Sequence, residues 1–332
     1  MKNISRKPIF ILGSERSGTT LLRLILNAHS QIGIPPQTKF SRKILKRLLF
    51  FGNLTRENNR SKLVEWLMKK QKNTKLIDLK LDSFDLKKIL IHQQTVGGFL
   101  SSIFQLYAIK NEKKRWGDKR PYYIQFIPTL FKLYPDALII HLIRDGRDCV
   151  ASLKRMKWWK KSAIYSMLNW RYAIRTGNKS VGIFPNQFLE VRYEDLINES
   201  EKVIKTICEF IGEDFEEKML EFYAHSSQYV PAYKMEWHYK TTQPISNQYI
   251  GQWKNNLTKK EVQLISWCCK DELIKWNYTD SILEGISITQ KIYYLIQWFI
   301  FYLEIILNKM IINFNQIFYP YSLSYMDKPI NK

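Results

Sequence analysis

The sequence predicts an α/β chain, a parallel sheet flanked by helices with an apolar helical tail at its carboxyl end, from three observations. Ile9-Phe10-Ile11-Leu12 is a short apolar run that enters a glycine-framed turn, Gly13 to Gly18, and then a second apolar run from Thr19. Ala137 to Ile143 repeats that order, ending in Arg144-Asp145-Gly146-Arg147 before Cys149-Val150-Ala151-Ser152-Leu153. Short continuous apolar runs bounded by turns are the mark of strands covered on both faces, and their alternation with helical periodicity argues for parallel order.

The first strand is placed at about 8–13 and the first helix at 19–29. Between them lies a phosphate-binding type of loop. Successive backbone N–H groups and a helix N-terminus offer donors and a partial positive charge to an anion. The pattern G-x-x-x-x-G-K-[ST] of nucleoside triphosphatases is matched in its glycines, but Thr19 stands in the lysine position and Arg16 lies inside the loop. A proline-marked loop follows at 33–39, then basic helices through 40–112 with an interruption near Thr95-Val96-Gly97-Gly98. Tyr122 to Tyr134 reads as a helix before the strand at 137–143. Ser162 to Arg175 reads as another, with Trp170, Tyr172 and Ala173 near its packed side. Phe188 to Tyr193 is a third strand candidate, and Lys202 to Ile211 a helix with Val203, Ile204, Ile207 and Phe210 at helical spacing.

The second motif carries its own chemistry. Arg144 falls at a strand's carboxyl end, where ligands of open α/β sheets bind, and Ser152 lies about two turns along the following helix. Asp145 or Asp148 is placed to cap that helix.

Together these segments resemble the sulfotransferases that use 3′-phosphoadenosine 5′-phosphosulfate (PAPS), nearest to tyrosylprotein sulfotransferases and related bacterial sulfotransferases. The resemblance covers most of residues 7 to 280 and rests on Arg16-Ser17-Gly18-Thr19-Thr20-Leu21-Leu22-Arg23, Asn27-Ala28-His29, Gly117-Asp118-Lys119-Arg120-Pro121, Arg144-Asp145-Gly146-Arg147 and Arg192-Tyr193-Glu194-Asp195-Leu196. Gly251-Gln252-Trp253 matches the family's Gly-x-Trp segment. The resemblance implies PAPS as co-substrate. Arg16, Ser17, Gly18, Thr19 and Thr20 then hold the 5′-phosphosulfate, Arg144 and Ser152 the 3′-phosphate, Tyr193 packs near the nucleotide, and Lys119 meets the transferring sulfuryl group. Arg16 and Lys119 neutralise developing charge, and no metal is needed for that role.

One position departs from the family. Where relatives carry a glutamate that takes the acceptor's proton, Ile34-Pro35-Pro36-Gln37-Thr38 places Gln37, which hydrogen-bonds but is no general base near neutral pH. Another base, slowed chemistry and a nucleotide-binding relative without catalysis are the three readings. Candidates for the base are His238, Glu236 and His29, with Asp118 as an orienting partner of Lys119. The acceptor is a hydroxyl, tyrosine included, or an amine. A kinase-like phosphotransferase is the enzymatic alternative, disfavoured by Thr19.

The chain carries 52 basic and 30 acidic residues, a net charge of +22, with runs at Lys39, Arg42, Lys43, Lys46, Arg47 and at Lys69, Lys70, Lys72, Lys75. Such a balance favours anionic partners. No nucleic-acid-binding motif is apparent, so nucleic acid is set aside. Four scattered cysteines form neither a zinc cluster nor a disulfide framework, which suggests a reducing compartment and, for a bacterial chain, the cytoplasm. Met1 to Pro8 leads straight into the first strand without the apolar core of a signal peptide.

Two domains follow: residues 1–285 as the catalytic domain and 286–332 as the tail. Ile292 to Leu303 is an uncharged run of 12 residues, apolar on all sides and short of the roughly 20 that span a bilayer. Burial against the rest of the chain, an oligomer contact and insertion at a membrane surface are all open for it, and the oligomeric state is undetermined.

Overall fold

The computed structural model describes residues 7–279, 285–319 and 321–326. The signal-peptide reading of Met1 to Pro8 therefore falls mostly outside the described residues, as do the last residues of the tail.

Five parallel strands form one sheet in the order β2-β3-β1-β4-β5. In chain order, β1 is Ile9–Gly13 and leads to α1, Thr19–Ala28, then to the two-residue β2, Ile32–Gly33. Helices α2, Phe40–Leu45, α3, Glu57–Lys69, and α4, Val96–Lys110, precede β3, Arg115–Lys119. After α5, Ile127–Leu133, the central β4, Leu138–Ile143, leads to α6, Gly146–Lys154, and to the long α7, Ala163–Ile183. Strand β5, Phe188–Arg192, α8, Ser200–Ile211, α9, Lys259–Cys268, and α10, Ile288–Ile317, complete the main elements.

Both faces of the sheet are covered, which is why β1 and β4 can be apolar throughout. Phe10, Leu12 and Ile139 face a core shared with α4 and α5, whereas Ile9, Ile11, Ile140 and Leu142 pack on α1 and α8. A third core joins α6 and α7 to α9 and the inner side of α10.

Several boundaries differ from expectation for identifiable reasons. Strand β3 was not read as a strand because Arg115-Trp116-Gly117-Asp118-Lys119 is polar, yet all five residues are buried. Their polar groups are satisfied internally: Arg115 Nε donates to Lys7 O at 2.9 Å and its Nη1 meets Glu213 at 3.0 Å, while Tyr123 OH donates to Asp118 at 2.6 Å. Burial of charge is tolerated on such terms. The expected helix from Tyr122 to Tyr134 is split into a 3₁₀ turn, Pro121–Gln125, and α5, with Pro128 in the first turn of the second piece. The interruption expected near residue 95 is present as a break between the helix Ser83–Leu90 and α4, and the glycine pair follows it. That pair lies in the first turn of α4, capped by the Thr95 hydroxyl, and Gly97 is packed so closely that a Cβ there would lie 2.5 Å from Tyr325 N. Helix α7 runs to Ile183 rather than ending at Arg175.

The tail is one 30-residue helix whose inner stripe, Tyr294, Phe301, Ile305 and Ile312, is buried against the preceding chain. Phe301 meets Tyr165 and Tyr172 of α7 edge-on, with ring centroids 5.3 and 6.0 Å apart.

Candidate active site

Parallel order brings the carboxyl ends of β1, β3, β4 and β5 to one edge, and the motifs singled out above lie there, except Asn27-Ala28-His29 at the far end of α1. They line a cavity of about 930 Å³, at the upper end of what a nucleotide-sized ligand needs.

The floor is the loop between β1 and α1. Gly18 adopts φ 97° and caps α1 from the left-handed region, leaving the N–H groups of the first helical turn directed into the cavity. Its lack of a side chain is required a second time, because a Cβ would lie 2.5 Å from the Tyr193 ring. Ser17 is turned inward, its hydroxyl donating to Ser14 O at 2.9 Å. Ser17 thus stiffens the loop instead of lining the cavity.

Lys119 emerges from the end of β3 into this space. Its Nζ donates to Thr20 Oγ1 at 3.2 Å and to Gln37 Oε1 at 3.1 Å, so three sequence-selected residues from separate segments meet at one point. Burial, then the neighbouring Arg23 cation, pulls the Lys119 ammonium below its ordinary pKa, while Glu15 opposes the shift. Asp118 projects to the other side of β3, accepting from its neighbour's backbone N at 2.8 Å and from Tyr123, and so fixes the strand rather than the ammonium.

The opposite end of the cavity holds two arginines. Arg16, itself at φ 70°, donates from Nε to Ser152 Oγ at 3.0 Å. Arg144 lies 4.4 Å over the Tyr193 ring and donates to Tyr249 O at 2.6 Å, and its Nε has no hydrogen-bond partner among the described residues. Burial, then Arg144, lowers the pKa of Arg16. Arg144 pairs with Asp148 at 3.5 Å, so Arg144 and Arg16, the latter expected at the 5′-phosphosulfate but bonded here to Ser152, share one carboxylate, and the site keeps an excess of positive charge and an unpaired buried donor. A phosphate dianion supplies what is missing.

Asp148, at the cavity wall, serves mainly to hold a neighbouring segment. Its two oxygens accept from Gly251 N and Trp253 N, each at 2.8 Å, and Arg147 lies 4.1 Å over the Trp253 ring. The Gly-x-Trp segment is thereby latched to the start of α6, and Tyr249 is held against Arg144. Asp145 caps α6 through Arg147 N at 2.8 Å.

The three candidate bases separate clearly. His29 is buried elsewhere, bonded to Asp214 O at 2.9 Å. Glu236 borders the cavity, but it is largely exposed and pairs with Lys157 at 3.4 Å. His238 lines the cavity, and burial together with Lys119 and Arg16 drives its pKa down to about 2, so its imidazole is neutral.

Several lining residues were not anticipated. Arg23, four residues beyond Thr19 on the same face of α1, is buried and donates to Tyr229 O at 3.0 Å. Its pKa falls to about 10 through burial. Its helical spacing from Thr19 is the signal that could have found it. Lys234, bridging Gln37 O at 3.4 Å and Asp78 at 2.8 Å, and Glu15, whose carboxyl burial pushes up against the pull of Lys119, had no such signal. Arg42, read as part of a solvated basic face, instead turns inward, 4.2 Å over the Tyr122 ring. Among the described residues no group of three metal-ligating side chains occurs.

Comparison with known proteins places this arrangement. An uncharacterized protein of Aquifex aeolicus is 25% identical over 78% of this chain and 30% of its own length. A putative protein-tyrosine sulfotransferase of Caenorhabditis briggsae is 27% identical over 64% of this chain and 68% of its own. Protein-tyrosine sulfotransferase 1 of Danio rerio is 25% identical over 61% and 52%. The chain thus spans between 30% and 68% of the length of these relatives. The sulfotransferase domain of a Synechococcus olefin synthase shares the fold with a TM-score of 0.52 and 23% identity, covering 85% of this chain and 99% of that domain. A sulfotransferase domain from the curacin biosynthetic pathway does so at 0.51 and 24%, covering 79% and 97%. The profile of the sulfotransferase family matches residues 8–217, from β1 through α8, and the chain belongs to that family.

Proposed function

We propose that the protein transfers a sulfuryl group from PAPS to a hydroxyl or amine acceptor, releasing adenosine 3′,5′-bisphosphate. The observation that carries this reading is the division of one cavity into two anion sites: the Gly18–Thr20 turn with Lys119 at one end, and Arg16, Arg144 and Ser152 at the other. An ATP-like nucleotide leaves the second site empty of charge.

In this reading the first-turn N–H groups and Thr20 hold the 5′-phosphosulfate, and Tyr193 covers the nucleotide. Lys119 donates to the oxygen bridging sulfur and phosphorus. The acceptor oxygen or nitrogen forms the new bond to sulfur while that bridging S–O bond breaks, and the electron pair leaves on the phosphate of adenosine 3′,5′-bisphosphate. Gln37 orients the acceptor through a hydrogen bond. The acceptor's proton goes to the neutral imidazole of His238, whose basicity rises once the anionic nucleotide offsets Lys119 and Arg16. Positioning and charge stabilisation supply most of the acceleration in such loose transfers.

Nucleotide binding without transfer is the second reading, favoured by one observation, the amide of Gln37 in contact with Lys119. Calorimetry and a turnover assay separate the two. Adenosine 3′,5′-bisphosphate should bind without magnesium at least about tenfold more tightly than ADP, since charge-assisted hydrogen bonds contribute about 1.5–3 kcal/mol each. Equal affinities would sink the 3′-phosphate site. Sulfur-labelled PAPS and a cell extract then test transfer: a labelled product supports catalysis, and tight nucleotide binding with no labelled product supports the second reading.

A further inference from the structure

Helix α10 has two apolar faces, and the protein covers only one of them. The inner stripe packs on α7. The outer arc, roughly 160° wide at 100° per residue, carries Ile292, Leu295, Phe299, Leu303, Met310 and Ile317 at successive turns. These are exposed by 44 to 73%. An uncovered face of this length is not explained by the fold.

We propose that α10 lies in the plane of an anionic membrane, its outer arc among the lipid chains, and that it seats the mouth of the active-site cavity at that surface. Four observations select this occupant.

The first excludes a span. Although the helix is long and apolar enough by composition to cross a bilayer, only by tearing its inner side from the protein could it do so. Tyr165 OH to Glu304 at 2.5 Å, Gln316 to Thr129 at 3.0 Å, Arg42 to Asn308 at 3.0 Å and the burial of Phe301 would all be lost, and Glu304 would enter the hydrocarbon. Lying in the plane keeps every one of these contacts.

Charge is the second. The arc itself holds no charged residue, while Lys291 and Lys309 border it on one side and Lys161, bound to Glu304 at 2.5 Å, on the other. Basic borders around an apolar face suit anionic headgroups. Charge also opposes a second copy as the occupant, because each copy carries a net charge of +22.

Ring chemistry is the third, since Tyr293 and Trp298 stand exposed near the arc's edges, the residue types that settle at the membrane–water boundary.

The fourth is position. Arg42 both lines the cavity and donates to Asn308 of α10, and Trp159, also lining it, packs through Tyr165 onto Phe301. Beside it Trp158 projects from the rim, 43% exposed. The helix therefore borders the cavity's mouth. This inference is independent of the reaction proposed above.

The test is co-sedimentation of the full chain with vesicles of phosphatidylglycerol and phosphatidylcholine, against vesicles of phosphatidylcholine alone. Binding to the anionic vesicles should be strong at low salt and at least tenfold weaker for Phe299→Glu combined with Met310→Glu. The far-ultraviolet circular dichroism and thermal midpoint of that variant should match the parent's, which certifies its fold. Should the charged variant fail to fold, Phe299→Asn with Leu303→Asn repeats the comparison. Position is read by a polarity-sensitive dye on Trp158→Cys, because the native cysteines are buried; its emission should shift to the blue on anionic vesicles. Absence of vesicle binding, binding indifferent to these substitutions, an unshifted dye, or a dimer in sedimentation that the same substitutions dissolve would each overturn the proposal.

Discussion

At the scale of single residues, the two ends of the cavity answer to different measurements. In the proposed reaction Lys119 donates to the transferring group, so Lys119→Ala should lower transfer by orders of magnitude while adenosine 3′,5′-bisphosphate binds within a few fold of the parent. Arg144→Ala should weaken that ligand directly, by tenfold or more in calorimetry. Gln37→Glu divides the remaining models by sign: a faster variant with an ascending carboxylate limb in its pH profile means that the base was lost, whereas a slower one with intact nucleotide affinity means that another group has taken its place. His238 is the candidate for that group. Its pKa is depressed, so between about 2 and its ordinary 6.5 the unfolded chain binds a proton that the folded one refuses. Stability accordingly falls as the pH is lowered through that window, and His238→Asn should reduce the acid sensitivity seen in urea unfolding. In NMR titration the imidazole should stay neutral in the free protein and move upward when adenosine 3′,5′-bisphosphate binds. Much of this site was legible in the sequence because Arg16 to Thr20 and Arg144 to Ser152 are contiguous motifs at strand ends. Arg23, Lys234 and the selection of His238 were not, since tertiary folding alone brings residues 227–252, a string of short turns, over the loop.

Among the elements, β1 and β4 were readable because a strand buried on both faces must be mostly apolar. Strand β3 was hidden for the complementary reason: its cost of burial is offset by Tyr123 just beyond it and by residues 7 and 213, far away in sequence. The latch between α6 and the Gly251–Trp253 segment makes an element-scale prediction. Asp148→Ala abandons two backbone donors and releases Tyr249 from Arg144, so about 3–5 kcal/mol of stability should be lost with two charge-assisted bonds. Thermal unfolding should show a lower midpoint, and the rise in midpoint on adding adenosine 3′,5′-bisphosphate should shrink. If the midpoint were unchanged, the segment would have to be held by Arg147 and Trp253 alone. Gly18→Ala meets both a strained φ and the Tyr193 ring, and should abolish nucleotide binding more completely than it lowers stability.

For the molecule as a whole, the expected division at residue 285 is bridged by packing, because α10 shares a core with α6, α7 and α9. The tail helix completes the packing of α7, so deleting residues 286–332 should expose Tyr165 and Tyr172 and lower solubility, and a truncated chain that stays monodisperse would show the interface to be dispensable. The sequence displayed the apolar character of that helix but not which side the protein uses, because both sides are hydrophobic and only the partners of Glu304 and Asn308 orient it. One feature has a practical reach beyond function. The four thiols are free and buried, at Cys149 beneath the phosphate loop, Cys208 on α8, and Cys268 and Cys269 at the end of α9. Burial pushes Cys149 up to about 12 and Cys208 up to about 11, so a thiolate there is scarce at neutral pH. Alkylation then waits for each region to open. The chain consequently carries its own set of chemical clocks: mass-resolved labelling rates report how often the loop, the flank and the rear helix breathe, and ligand in the cavity should slow the Cys149 clock ahead of the other three.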